Sequence, residues 1–158
     1  MQAAAKFSIY FLLISLLFIS CQDSNSIIDT NSQITNRSWS YVNKIKVKAS
    51  IPDQKLAYNI YVNLRHTAEY PYSNIFLLVK MKGPDNQVIT ERKEFKLALP
   101  DGEWLGKGSG NMYSYQLPFK EGFYFPQKGD YYFEIEQNMR NNPLREITDV
   151  GLRIEKAD

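Results

Sequence analysis

The stretch "LAYNIYVNLR", Leu56 to Arg65, sets Leu56, Tyr58, Ile60, Val62 and Leu64 on one side and Asn59, Asn63 and Arg65 on the other. Successive side chains of an extended chain point to opposite faces, so this period of two predicts a strand with an apolar face turned inward. "KIKVKAS", Lys44 to Ser50, repeats the pattern, with Ile45, Val47 and Ala49 opposed by Lys44, Lys46 and Lys48. "NIFLLVKMK", Asn74 to Lys82, is apolar on both faces as far as Lys80, which predicts a strand toward the middle of its sheet.

The turn "GPDNQ", Gly83 to Gln87, sends the chain back through "VITERKEFKLAL" and predicts a hairpin. Farther on come "MYSYQLPF", "GFYF", "DYYFEIEQNM" and "VGLRIE", separated by "PDGEWLGKGSGN", "PQKG" and "NNPLREITD". Seven or eight short strands at these spacings predict an all-β domain over residues 37–158. It is expected to be an antiparallel β-sandwich, immunoglobulin-like or jelly-roll-like, whose two sheets hide their apolar faces against each other. One helical turn is expected near Leu144 to Thr148.

Residues 1–20 differ from this average. Lys6 precedes a run from Phe7 to Ile19 interrupted only by serine and tyrosine, the order of a secretory leader and shorter than the roughly 20 apolar residues of a spanning helix. "FISC" then places Ser20 before Cys21, the chain's one cysteine, and resembles the processing signal of bacterial lipoproteins. Acylation of Cys21 is the expectation, and it leaves the finished chain without a thiol for a disulfide, a metal thiolate or a nucleophile. The following segment, residues 21–36, is polar and rich in Ser, Asn and Asp, and is expected to be a flexible tether. An N-terminal strand through Ile27 and Ile28 is the other reading.

A net charge of +2 spread along 158 residues gives no basis for nucleic-acid binding. His66 is the one histidine, so no histidine-rich metal site is expected, and neighbouring Arg65 should point to the opposite face of the strand. "DGEWLGKGSGN" is a poor phosphate loop, with Asp101 where a glycine is required and Gly108 where a hydroxyl is required. No cofactor is expected. Tyr70, Tyr72, Tyr113, Tyr115, Trp39 and Trp104 are either packing residues or the lining of a groove.

"NIYVNLRHTAEYPYSNIFLLVKMKGPDN", "LALPDGEWLGKGSGNMYSY", "GDYYFEIEQNMR" and "LREITDVGLRIEK" together resemble the gliding-motility lipoprotein family GldH of Bacteroidetes, from about Trp39 to Lys156. The resemblance implies a noncatalytic component needed for gliding, lipid-anchored through Cys21 in the outer membrane, with gliding or type IX secretion proteins of the envelope as partners. The weakly acidic "QDS" after Cys21 favours the periplasmic face. The family words fall on Arg65, His66, Tyr70, Tyr72, Trp104 and Arg140, which together with Lys107 are the expected docking residues. The alternative is a carbohydrate-binding surface lipoprotein, which calls for a concave row of exposed aromatic rings. A hydrolase would need a cleft with paired carboxylates, or His66 beside a nucleophile.

Overall fold

The computed structural model describes residues 25–157; the leader, Cys21 and the start of the expected tether lie outside the described residues. Eleven strands follow in chain order: β1 (Ser26–Gln33), β2 (Ser38–Trp39), β3 (Ile45–Ile51), β4 (Ala57–Thr67), β5 (Asn74–Lys82), β6 (Val88–Lys96), β7 (Lys107–Ser109), β8 (Met112–Tyr124), β9 (Gly129–Gln137), β10 (Leu144–Arg145) and β11 (Ile147–Lys156). One sheet has the order β1-β11-β4-β8-β7 and the other β3-β9-β5-β6, while β10 pairs with β2 alone. Every pairing is antiparallel.

Without the short β2, β7 and β10, the eight long strands run 1-8-3-6 in one sheet and 2-7-4-5 in the other. That is the jelly-roll order, in which the chain crosses repeatedly between sheets, rather than the immunoglobulin one. One hairpin joins neighbouring long strands, β5 to β6, at the turn where Gly83 and Gln87 close a backbone hydrogen bond of 3.0 Å.

The core forms where the alternation places it. Tyr58, Ile60, Val62 and Leu64 of β4 join Val150, Leu152 and Ile154 of β11 on one side. Ile75, Leu77 and Val79 of β5 meet them from the other sheet with Tyr131, Phe133 and Ile135 of β9. Burying each large side chain stabilises the fold by roughly 1.5–3 kcal/mol. β5 is an internal strand, as its two apolar faces require. Its outward Phe76 is covered by the Arg92 guanidinium at 4.0 Å.

Four expectations are corrected. From Ser26 the expected tether is β1, paired with β11 from Ser26↔Glu155 to Gln33↔Asp149. Its Asp29, Asn31 and Gln33 are exposed, so the strand is held by the hydrogen bonds β11 offers and by Ile27 and Ile28, and its own apolar face is narrow. No helix spans Leu144 to Thr148. Glu146 has φ 69, Leu144 pairs with Trp39, and Ile147 pairs with His66, so distant partners replace the local helical bonds.

"MYSYQLPF" and "GFYF" are one strand, β8, whose irregular register against β4 near Ile60 is bridged by Gly122 N–H donating to Asn59 Oδ1 at 2.9 Å. Beyond Ser114 no strand flanks β8 on its β7 side, so Pro118 costs no ladder bond there, and Lys93 Nζ donates to the carbonyls of Pro118 and Phe119. Finally, Leu56 precedes β4 and is exposed, whereas Asn63 lies on the outer face yet is 7% exposed.

Candidate functional site

The expected docking residues divide between the two faces of β4. Arg65 points outward, its Nε donating to Ser114 Oγ at 3.1 Å and its guanidinium 3.6 Å from Asp149 Oδ2. His66, the next residue, points into the sandwich and is fully buried, as strand alternation demands.

His66 is held by both ring nitrogens. Nδ1 lies 2.7 Å from the Thr67 carbonyl, which only accepts, so Nδ1 carries a proton. Nε2 lies 3.0 Å from the Tyr115 hydroxyl, which donates to it when the ring is neutral. That hydroxyl also stands 3.0 Å from the Leu97 carbonyl, already satisfied by the Leu105 N–H at 2.9 Å. Four rings enclose the imidazole: Trp104 edge-on at 4.5 Å, Tyr70 at 4.9 Å, Tyr115 stacked at 5.2 Å and Tyr113 at 5.9 Å.

Burial lowers the His66 pKa, against a smaller upward effect of its Thr67 hydrogen bond. Burial likewise pushes the Tyr115 phenol up to about 12 and raises that of Tyr70. The cluster is therefore neutral at physiological pH.

This plug braces the glycine-rich segment from below. A Cβ at Gly106 would stand 2.5 Å from the Tyr115 ring, so only glycine lets the loop backbone lie on that ring. Trp104, half-buried, bridges to Ala98 and turns its indole inward. Leu105 and Lys107, on either side of Gly106, are exposed on the outer surface.

His66 and Tyr70, buried to 0% and 3% exposure, offer no surface to a partner and are withdrawn as docking residues. Trp104 belongs mainly to the plug, and Tyr72 meets Tyr70 edge-on at 5.7 Å. Lys107 on β7 and Arg65 on β4 both pair with Ser114 of β8 from opposite sides, so these two cations share one face. Arg140 is exposed beyond the end of β9, in the segment where Met139 Sδ accepts the Phe76 N–H at 3.2 Å. The rings named for a groove do not form an exposed row: Trp39 is buried with its Nε1–H bonded to Asn43 O, and Tyr115 is buried beside His66.

Sequence reasoning missed Asn63 and Gln116 as surface-groove residues. They face each other across β4 and β8, and the polar phase of "YVNLR" was the signal for the first. Among the described residues, no group of three His, Cys, Asp or Glu side chains converges as a metal site.

The class of protein these features define is a small antiparallel β-sandwich whose histidine and glycine-rich loop serve the fold. The chain belongs to the GldH lipoprotein family, matching it over residues 26–154. It is 33% identical to the gliding motility lipoprotein GldH homolog of Christiangramia forsetii, over 98% of each chain. It is 32% identical to gliding motility lipoprotein GldH of Flavobacterium johnsoniae, over 93% of this chain and 94% of that one. The family is an envelope family linked to gliding motility. No solved structure matches the chain.

Proposed function

We propose that this chain is a lipid-anchored, noncatalytic part of the gliding apparatus that docks other gliding or type IX secretion proteins at the periplasmic face of the outer membrane. Acyl chains on Cys21 supply the anchor. One chain alone binds a bilayer only reversibly, at about 0.8 kcal/mol per buried methylene, so two or more make the attachment lasting. Confinement to one surface then raises the effective concentration of partners held there.

The strand that replaces the tether shortens the leash. β1 begins at Ser26, so five peptide steps separate it from Cys21, a reach of at most about 18 Å. The end of the five-stranded sheet beside Ser26 carries Leu56 and Tyr124, which are 40% and 63% exposed. Such an apolar and aromatic pair suits the headgroup region of a bilayer.

The observation that carries the docking reading is the braced loop, which packs on His66, Trp104 and Tyr115 yet presents Leu105, half exposed, beside Lys107 and Arg65. An apolar side chain beside two cations on a preorganised support is a suitable interface anchor. A photocrosslinking residue at Leu105, introduced in intact gliding cells, is expected to give discrete protein adducts, and one at Val88 on the far sheet edge to give none. Equal adduct patterns at both positions would remove the docking assignment.

A further inference from the structure

The outer face of the five-stranded sheet carries a groove of about 630 Å³, within the size range of small-ligand sites. Its floor is made by two polar rows that cross the strands. One row runs Asn31, Gly151, Asn63, Gln116 over β1, β11, β4 and β8. The other runs Asp149, Arg65, Ser114, Lys107 from β11 to β7. At a strand spacing of about 4.8 Å, the face from β1 to β7 is about 19 Å across. Gly151 puts no side chain between Asn31 and Asn63.

Asn63 is the distinctive member. Its Nδ2 donates to Asp29 Oδ1 at 2.7 Å, and because a carboxylate only accepts, the amide cannot be turned the other way. Its Oδ1 therefore points away from Asp29, and it has no hydrogen-bond partner although the side chain is 7% exposed. Buried acceptors are nearly always satisfied, so an orphan on the floor of a groove marks a place for an incoming donor. Gln116, directly opposite on β8, is exposed, so its carboxamide faces the same ligand as Asn63.

The charges select the ligand. Among the lining residues Arg65 and Lys107 are matched by Asp29 and Asp149, and Arg153, which lies 2.8 Å from Asp29, is matched in turn by Glu155 at 2.6 Å. A site without net charge has no preference for a polyanion or an anionic headgroup. A peptide strand binds a sheet edge through its backbone, whereas this is a sheet face that offers side-chain carboxamides and a hydroxyl. Carboxamides donate and accept at once, as the hydroxyls of a sugar do.

We propose that this groove binds a neutral oligosaccharide, whose hydroxyls bond to Asn31, Asn63 and Gln116 between the Lys107 rim and the β1 rim. This site uses polar side chains in place of the exposed aromatic row that the carbohydrate-binding alternative called for, and it shares Leu105, Lys107 and Arg65 with the docking loop, while Asn31, Asn63 and Gln116 lie outside that loop. With no ring to stack on, the affinity is modest.

The test is a titration of the ¹⁵N-labelled full chain, held in phosphocholine micelles, with maltohexaose, cellohexaose and chitohexaose, and with a galacturonic acid hexamer as the anionic control. The expected result is saturable movement of the carboxamide resonances of Asn31, Asn63 and Gln116 with at least one neutral hexamer. Gln116→Ala and Asn31→Ala, both at exposed positions, should each lose about tenfold in affinity, the worth of one or two hydrogen bonds. Three results would overturn the proposal: no neutral hexamer binding more tightly than about 10 mM, binding of the anionic control alone, or wild-type affinity in both variants. Asn63→Leu, if it folds, should abolish binding, and retained binding by the folded variant also overturns the site.

Discussion

His66 Nε2 and the Tyr115 hydroxyl meet at 3.0 Å in a fully enclosed site, and through this contact β4 and β8 together support the glycine-rich loop. The two residues stand 49 positions apart in the sequence, on adjacent paired strands. Their protonation is the first property open to measurement.

Burial depresses the His66 pKa in the folded protein, whereas the unfolded chain titrates near 6.5. The unfolded state therefore binds more protons below that pH, and stability falls as pH falls. The contribution is fully present above about pH 6.5 and is lost toward the depressed folded value. Tyr70 and Tyr115 stay protonated throughout, so the histidine alone titrates within the cluster. Urea midpoints are expected to be level from pH 8 to 7 and to decline between about pH 6.5 and 5, and His66→Phe should flatten that decline. An unchanged slope in the variant would assign the pH dependence to other groups.

Gly151 lies under β1, where a Cβ would stand 1.8 Å from the Thr30 carbonyl oxygen. Backbone cannot yield as a side-chain tip does, so Gly151→Ala should cost at least about 1–3 kcal/mol. The strain falls on the β1–β11 seam. Hydrogen exchange should show β1 amides losing protection before those of β4, and a variant with normal β1 protection would refute the close approach.

Trp104→Ala removes the edge-on partner of His66 and leaves the backbone bridge to Ala98 in place. Since the indole is half-buried, the expected loss is about 2 kcal/mol, less than for a core tryptophan. Limited proteolysis should cut between Leu97 and Ser109 faster than in the native chain, with circular dichroism still sheet-like. Leu105→Ala should leave proteolysis unchanged and weaken only the adducts formed from a photocrosslinking residue at Lys107, which separates the brace from the docking surface.

Cys21→Ala should release the chain from the membrane fraction and remove incorporation of labelled palmitate; persistence after a high-salt wash would count against acylation there. Inserting about 20 Gly/Ser residues before Ser26 lengthens the root-mean-square span by roughly 25 Å. Gliding speed is expected to drop if the short leash matters, with membrane retention preserved.

The β4, β3 and β5 strands were legible because a half-buried strand writes its two faces into alternate residues, and the hairpin at Gly83 was legible from turn chemistry. β1 was not, because its residues carry almost no apolar face of their own and a neighbour supplies its stability. The "LREIT" segment misled for a related reason: Leu144 and Ile147 fit one helical turn locally, but Trp39 and His66 claim them from far along the chain.

The sequence by itself determined the all-β class, the two faces of the central strands, and the opposite directions of Arg65 and His66, since all of these follow from a period of two between neighbours. Only the tertiary structure decided the jelly-roll order, the enclosure of His66 by four rings, and the groove that sets Asn63 beside Asp29. Those depend on which strands become neighbours, and that choice is made by backbone hydrogen bonds and packing between residues that no local pattern connects.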